Sequence, residues 1–366
     1  MDMRVMFVGG GTGGHIYPAL AVAEEIMNKK PETEILFVAG NRGIERKIVT
    51  DAGFPLKTIP VTGLPRKLTP ALVTFAWKLM VSILKSRKFM RCFKPSVMMA
   101  TGGYVSGPPI IAAFTMGIPV VIQEQNSFPG ITNRKLARLA DLVFLGFGNA
   151  EKYFGKSVET MTTGNPVRSE IGTGIRAVSA EIFNIDPSLK TVLIFGGSQG
   201  AHAINSAVSK IVEHIAENDI QVLWQTGRRD YDLYSKFDRI SKGKVRVLSY
   251  IDDMVSAYTV SDMVVCRAGA MTIAEITVCG LPAVFIPLPT AAGNHQEYNA
   301  RSLADADAAV MILERDLASG KLEHEITCII TSEKRLSSMS EASRRLAKKD
   351  AAGVIAGVLL ERYAVN

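Results

Sequence analysis

Three segments of this sequence join glycine to a side chain able to handle protons or anions. Gly9-Gly10-Gly11-Thr12-Gly13-Gly14 is followed at once by His15. Gly196-Gly197-Ser198-Gln199-Gly200 spells G-x-S-x-G. Arg267-Ala268-Gly269-Ala270-Met271-Thr272 is followed by Glu275. Glycine lets a backbone approach a ligand closely, and unbonded N–H groups at a helix start favour an anion by about 0.3–1 kcal/mol. An imidazole at such a helix mouth can take a proton from a hydroxyl, which makes His15 the candidate general base.

Each segment also has a competing reading. The first matches the dinucleotide fingerprint G-x-G-x-x-G, but the second strand ends Val38-Ala39-Gly40-Asn41, with no acid for a ribose. That argues against a nicotinamide site and leaves an anion-binding turn or a purely structural one. The second matches a hydrolase nucleophile elbow, for which Asp252 or Asp253 and then His295 would complete the order Ser, Asp, His. The rival is a Ser198 hydroxyl donating to a phosphate. The third reads either as N–H groups holding a diphosphate, with Glu275 on ribose hydroxyls, or as an ordinary helix capped by Thr272 and Glu275 in a capping box.

The elements that must position these turns alternate between short apolar runs and helical patterns. Strands are predicted at Arg4–Val8, Glu34–Val38, Val97–Ala100, Val120–Gln123, Leu142–Leu145, Thr191–Phe195, Gln221–Gln225, Val245–Leu248, Met263–Cys266 and Ala283–Ile286. Several are apolar on both faces, as buried parallel strands are, and the alternation predicts α/β layering. VMFVGGGTGGHIYPALAVAEEI near the start and LIFGGSQGAHAINSAVSKIVEHI half a chain later form a near-repeat of strand, glycine turn and helix. Two doubly wound halves account for it. Glycine, asparagine and proline place the joint near Thr163–Ile185, and a final helix is expected over Ser340–Tyr363, packing back across it.

With 366 residues, 47% apolar and 21% charged, the chain can bury two cores. Cys92, Cys266, Cys279 and Cys328 form no C-x-x-C pair, so zinc and a disulfide framework are not expected, and a reduced, cytoplasmic compartment is. No signal-peptide pattern and no run of the roughly 20 apolar residues of a spanning helix is present.

The net charge of +7 is unevenly spread. Between Gly53 and Gln123 there is no Asp or Glu, while Lys57, Arg66, Lys67, Lys78, Lys85, Arg87, Lys88, Arg91 and Lys94 all fall there. A helix over Leu72–Lys85 is expected to bury Leu72, Phe75, Ala76, Leu79, Met80 and Ile83. Val73, Trp77, Val81 and Leu84 then form a second apolar stripe. A surface helix needs one such stripe, so the second calls for a partner. Another helix would cover it. An anionic membrane surface also matches the charge, and the expectation is contact through Leu72–Lys94. Nucleic acid is not expected, because no aromatic platform or reader motif accompanies the lysines.

Taken together the motifs resemble the MurG family of bacterial N-acetylglucosaminyltransferases, within glycosyltransferase family 28. The resemblance runs through GGGTGGH (Gly9–His15), GGYVSGP (Gly102–Pro108), EQN (Glu124–Asn126), GNPVR (Gly164–Arg168), GGSQGA (Gly196–Ala201) and IDDM (Ile251–Met254). It continues in CRAGAMTIAE (Cys266–Glu275), GLPA (Gly280–Ala283) and the segment Asn294–Ala300. It implies an α/β GT-B fold, two Rossmann-like domains facing across a cleft. Residues 1–163 with about 345–366 would form an acceptor- and membrane-side domain, and 164–344 the domain that binds the UDP-sugar donor.

The implied reaction is inverting transfer of GlcNAc from UDP-GlcNAc to the 4-hydroxyl of MurNAc in lipid I, giving lipid II for peptidoglycan. It would proceed at the cytoplasmic face of the plasma membrane, without metal or cofactor. His15 matches the family's proposed base. Thr12, Gly13, Gly14 and Asn126 would meet the donor from the first domain. Arg168, Ser198, Ile251, Ala270, Met271, Thr272, Ile273, Ala274, Glu275 and Gln296 would build the donor pocket, with Ile251 on uracil, Glu275 on ribose, Ser198 on the phosphates and Gln296 on the sugar. Gln123 departs from the family, which has His before Glu-Gln-Asn. Other lipid or sterol-type glycosyltransferases and a UDP-GlcNAc epimerase are rivals within the fold. A serine hydrolase and a non-catalytic membrane adaptor are rivals from other classes.

Overall fold

A computed structural model describes residues 3–41, 45–63, 71–197 and 199–364. The chain divides into two compact units, Met1–Arg168 with Lys348–Asn366, and Ser169–Ala347. The crossings fall at Arg168/Ser169 and Ala347/Lys348, a few residues beyond the positions expected from sequence, and they put Arg168 in the first unit.

The first unit holds β1 (Arg4–Gly9), β2 (Glu34–Gly40), β3 (Leu56–Ile59), β4 (Val97–Gly102), β5 (Val120–Glu124), β6 (Leu142–Leu145) and β7 (Thr160–Thr162). All pair in parallel, in the order β3-β2-β1-β4-β5-β6-β7. The second unit holds β8 (Lys190–Phe195), β9 (Ile220–Gln225), β10 (Val245–Leu248), β11 (Met263–Cys266), β12 (Ala283–Phe285) and β13 (Ala309–Met311). They too are parallel, in the order β10-β9-β8-β11-β12-β13. In each sheet the order reverses beside the first strand in sequence, the topological switch point at which ligands bind open α/β sheets.

The doubly apolar strands have a direct cause. Val5 and Phe7 of β1 pack with the helices Gly13–Lys29 and Ala351–Arg362, while Met6 and Val8 pack with Met90 and Ile110 on the other face. In the second unit Val192 and Ile194 of β8 join Ile204, Val208 and Trp224. Alternate residues of one strand thus enter two different cores.

β3, β7 and β13 were not anticipated, and all three are sheet edges. Leu56-Lys57-Thr58-Ile59 and Thr160-Met161-Thr162 are short and half polar, because an edge strand is covered less completely than an inner one. The single helix expected over Ser340–Tyr363 is two, Glu333–Leu346 and Ala351–Arg362. Ala347 is extended (φ −62°, ψ 137°) where the chain leaves the second unit for the first. Gly164 (φ +85°) lies against this crossing, where a Cβ would collide with the Lys348 side chain. The last helix then docks on Gly13–Lys29, and Lys29 Nζ donates to Gly353 O at 3.2 Å.

The basic helix is Ala71–Phe93, longer than expected. Its buried side is carried by Ser82, Ser86 and Met90, with Leu72, Phe75, Leu79 and Ile83 half-buried. Ala76 and Met80 do not belong to that side and are exposed. Val73 (74%), Trp77 (63%), Met80 (47%) and Leu84 (59%) form the outward stripe, and Val81 is half-buried. Ser82 and Ser86 rotate the buried face by using polar side chains on backbone oxygens, Ser82 Oγ to Pro60 O at 2.8 Å and Ser86 Oγ to Ser82 O at 2.7 Å. Arg66 and Lys67 lie outside the described residues.

Leu359 is fully buried in the core shared by the last helix and β1. Leu359→Ala is expected to destabilise the first unit by about 2–5 kcal/mol in chemical denaturation. A loss under about 1 kcal/mol would mean that this helix is not part of that core.

Candidate functional site

The first glycine turn follows β1 and meets the end of β4, its neighbour across the switch point. The helix Gly13–Lys29 starts after Thr12, which is extended (φ −154°, ψ 159°) and makes no side-chain cap, and no acid lies in the first turn. Half-buried His15 turns Nδ1 toward Thr101 O at 3.0 Å and Gln125 Oε1 at 3.2 Å. A backbone carbonyl can only accept, so Nδ1 carries the proton and Nε2 is the basic nitrogen. Thr101 Oγ1 in turn donates to His15 O at 2.5 Å.

Gly102 (φ +109°) and Gly103 (φ +79°) make room for the ring. A Cβ on Gly102 would stand 2.9 Å from His15 Nδ1, and one on Gly103 would collide with Gly10 O. Behind the ring lies a buried amide network. Gln125 Nε2 donates to Thr101 O at 2.6 Å and bonds Gln123 Oε1. Gln123 Nε2 donates to Asn165 Oδ1 at 2.9 Å, and Asn165 Nδ2 donates to Gln125 O at 2.9 Å. Gln123 is therefore a neutral link in the scaffold of His15. Neutral amides cannot titrate, so the support of the imidazole does not change with pH.

The buried Glu124 carboxylate takes four donors: Asn126 N at 2.9 Å, Asn126 Nδ2 at 3.1 Å, Gly130 N at 3.1 Å and Asn133 Nδ2 at 2.8 Å. It fixes Asn126 beside the strand end. Arg168 stands over the Tyr17 ring at 5.8 Å, within the first unit and near the first turn rather than in the second unit. An acid does accompany the first turn after all. Buried Glu45 lies five residues past β2 and accepts from Gly11 N. Strand-end spacing missed it because the acid comes from the next helix.

In the second unit the second glycine turn follows β8 and the third follows β11, again adjacent strands at a switch point. Ser198 lies outside the described residues. Gln225, buried at the end of β9, joins two segments: its Nε2 donates to Gly197 O at 3.0 Å and its Oε1 accepts from Ile251 N at 2.8 Å. The Ile251 N–H is thus engaged within the protein. Gln225 had no sequence signature of its own; only strand adjacency identifies it.

The helix Ala270–Cys279 begins at N-cap Gly269 with no side-chain cap and no acid in its first turn. The capping-box alternative is therefore wrong, because Thr272 is already inside the helix. Half-buried Glu275 is held through Oε2 by the Tyr258 hydroxyl at 2.9 Å. Burial, and then the Glu275 charge, push the Tyr258 phenol well above its usual range, so it stays a donor. Arg267 spans from β11 to the carbonyls of Ile286 (3.0 Å) and Pro287 (3.1 Å) and pairs with Glu314. Gln296 Oε1 accepts from Leu288 N at 2.9 Å. Met271, Thr272 and Ala274 are half-buried on this helix, and Ala270 and Ile273 are buried.

Of the hydrolase candidates, Ser198 lies outside the described residues and Asp253 and His295 make local contacts. Asp253 accepts from Ser256 N at 3.0 Å as a helix cap, and His295 Nδ1 bonds Ala292 O at 2.8 Å. Among the described residues no three His, Cys, Asp or Glu side chains gather as a metal set.

The sequence matches the glycosyltransferase family 28 N-terminal domain over residues 5–145 and the C-terminal domain over 191–355. It is 39% identical over 346 residues to a UDP-N-acetylglucosamine--N-acetylmuramyl-(pentapeptide) pyrophosphoryl-undecaprenol N-acetylglucosamine transferase of Acetivibrio thermocellus, covering 94% of each chain. It is 40% identical over 365 residues to the transferase of the same name from Desulfitobacterium hafniense, covering 98% of this chain and 99% of that one. Among solved structures it resembles Acinetobacter baumannii MurG, with a TM-score of 0.79 and 28% identity over 98% of this chain and 100% of that chain. A UDP-GlcNAc 2-epimerase from Neisseria meningitidis shares the fold, with a TM-score of 0.71 at 14% identity over 99% of this chain and 100% of that one.

Gln125→Glu is expected to place a carboxylate against His15 Nδ1 and favour the imidazolium. In imidazole nitrogen NMR the His15 titration should then move to higher pH, and Gln125→Leu should not reproduce that shift. An unchanged His15 titration in Gln125→Glu would show that the amide does not touch the ring.

Proposed function

The chain belongs to glycosyltransferase family 28, and we propose that it transfers GlcNAc from UDP-GlcNAc to the 4-hydroxyl of MurNAc in lipid I, with inversion, yielding lipid II and UDP. It is a UDP-GlcNAc-dependent hexosyltransferase, as its relatives are named. One observation supports the mechanism above all: His15 Nδ1 faces a backbone carbonyl, which leaves Nε2 as the nitrogen to accept a proton.

The acceptor hydroxyl oxygen attacks the anomeric carbon of the donor. The bond from that carbon to the diphosphate oxygen breaks, its electron pair leaves with UDP, and the hydroxyl proton passes to His15 Nε2. The start of Ala270–Cys279, where N-cap Gly269 makes no side-chain cap, offers its positive dipole end to the departing diphosphate, in line with helix-terminus anion binding. Ser198 and Arg168 add to that charge stabilisation. Glu275 takes ribose hydroxyls, with Tyr258 fixing its carboxylate. The Ile251 carbonyl meets uracil, and the Gln296 amide nitrogen meets the sugar. Thr12, Gly13, Gly14 and Asn126 contact the donor sugar from the first unit.

The enzyme acts as a peripheral protein on the cytoplasmic face of the plasma membrane. Among the described residues no helix is long and apolar enough to cross a membrane. The stripe Val73, Trp77, Met80 and Leu84 supports interfacial binding, bordered by the exposed Lys85, Lys88 and Arg91. Each cation near an anionic surface contributes about 1 kcal/mol.

Purified protein with UDP-GlcNAc and lipid I should release UDP; no release, or epimerisation of UDP-GlcNAc without acceptor, would reject the reading. His15→Ala is expected to lower kcat by about 10²–10⁴-fold with donor Kd unchanged. Normal turnover at saturation would remove His15 as the base. Reversing the charges of Lys85, Lys88 and Arg91 should weaken sedimentation with anionic liposomes and flatten its salt dependence; unaltered binding would sink the membrane assignment.

A further inference from the structure

We propose that a cleft at the amino-terminal edge of the first unit's sheet binds one anionic phospholipid, with an acyl chain inside and the phosphate on Lys57 and Lys88. The cleft has a volume of about 770 Å³, within the roughly 300–1,000 Å³ typical of small-molecule sites. Met27, Leu36, Phe54, Phe89 and Phe93 give it apolar walls. Lys57 and Lys88 line it, both are exposed, and neither pairs with a described acid. Glu34, the one acid among the lining residues, is held by Arg4 at 2.8 Å. Buried Thr33 also lines it.

Position selects a lipid over a soluble anion. The outward stripe at 73, 77, 80 and 84 continues at helical spacing to Lys88 and Cys92. Lys88 lies one turn beyond Leu84, about 6 Å along the axis. The cleft therefore opens where the apolar stripe ends, and a lipid beside that stripe meets lysines first and apolar walls behind them. The site is separate from the transfer chemistry. Its residues start β2, whereas the His15 turn lies past the other end of the sheet, roughly 20 Å away along a strand of that length. The inference rests on the membrane reading for its route of access only.

The test uses the whole protein and dihexanoyl-phosphatidylglycerol below its micellar concentration, so that no membrane is needed. Native mass spectrometry should show one lipid per chain, binding saturably. The bound lipid should slow alkylation of exposed Cys92, located by peptide mapping. Cys92→Trp, a surface change that fills the cleft, should abolish binding. Lys57→Gln should weaken it about fivefold, the factor that about 1 kcal/mol per surface lysine corresponds to. Trp77→Ser should reduce liposome binding and leave monomer binding intact. Absence of saturable binding, or binding unchanged by Cys92→Trp, overturns the proposal even if liposome binding persists. Equal protection of Cys92 by inorganic phosphate would also overturn it, since that would mark a simple anion site.

Discussion

Everything that positions chemistry in this protein depends on where its parallel sheets reverse order. A strand pair that diverges from one switch point sends its two following segments to opposite faces of the sheet, and a crevice opens between their starts. β1 and β4 form that pair in the first unit, and β8 and β11 in the second. The glycine turn after β1 meets the Thr101–Gly103 backbone at the end of β4, and the result is an imidazole seated on a carbonyl. The turns after β8 and β11 are brought together by the same rule, with Gln225 from β9 as the brace between Gly197 and Ile251.

The chemistry that follows is one of backbone and neutral amides more than of charged clusters. His15 is oriented by Thr101 O and Gln125, and Gln125 by Gln123 and Asn165. Glu124 is buried but fully engaged with amide donors, so its charge is spent on shaping a turn. The helix Ala270–Cys279 starts at Gly269 with no side-chain cap and no acid in its first turn. Preorganised dipoles of this kind stabilise developing charge without reorganising.

The same unit that carries His15 also carries the outward apolar stripe. The helix Ala71–Phe93 buries serines on one side and leaves Val73, Trp77, Met80 and Leu84 outside, an arrangement that costs solubility unless the stripe is covered. The cleft at its far end extends that surface into the sheet edge. The stripe thus starts at the sheet edge that carries the His15 turn, and the cleft lies at the opposite edge of the same strands.

The sequence by itself determined the architecture and the reactive segments. Inner strands read clearly because both faces are buried, and the glycine turns read clearly because glycine takes left-handed and closely packed backbone positions at little steric cost. It also determined the family, through motifs ordered along nearly the whole chain. The edge strands β3, β7 and β13 escaped it, since a half-solvated strand lacks a continuous apolar signal. Glu45, Gln225 and Tyr258 escaped it as well, because each reaches its partner from a different strand or helix. The glycine–histidine turn was legible as a turn from the start. Which nitrogen of His15 is basic was decided only by the tertiary structure, because that depends on a carbonyl 86 residues away that the switch point brings within 3.0 Å.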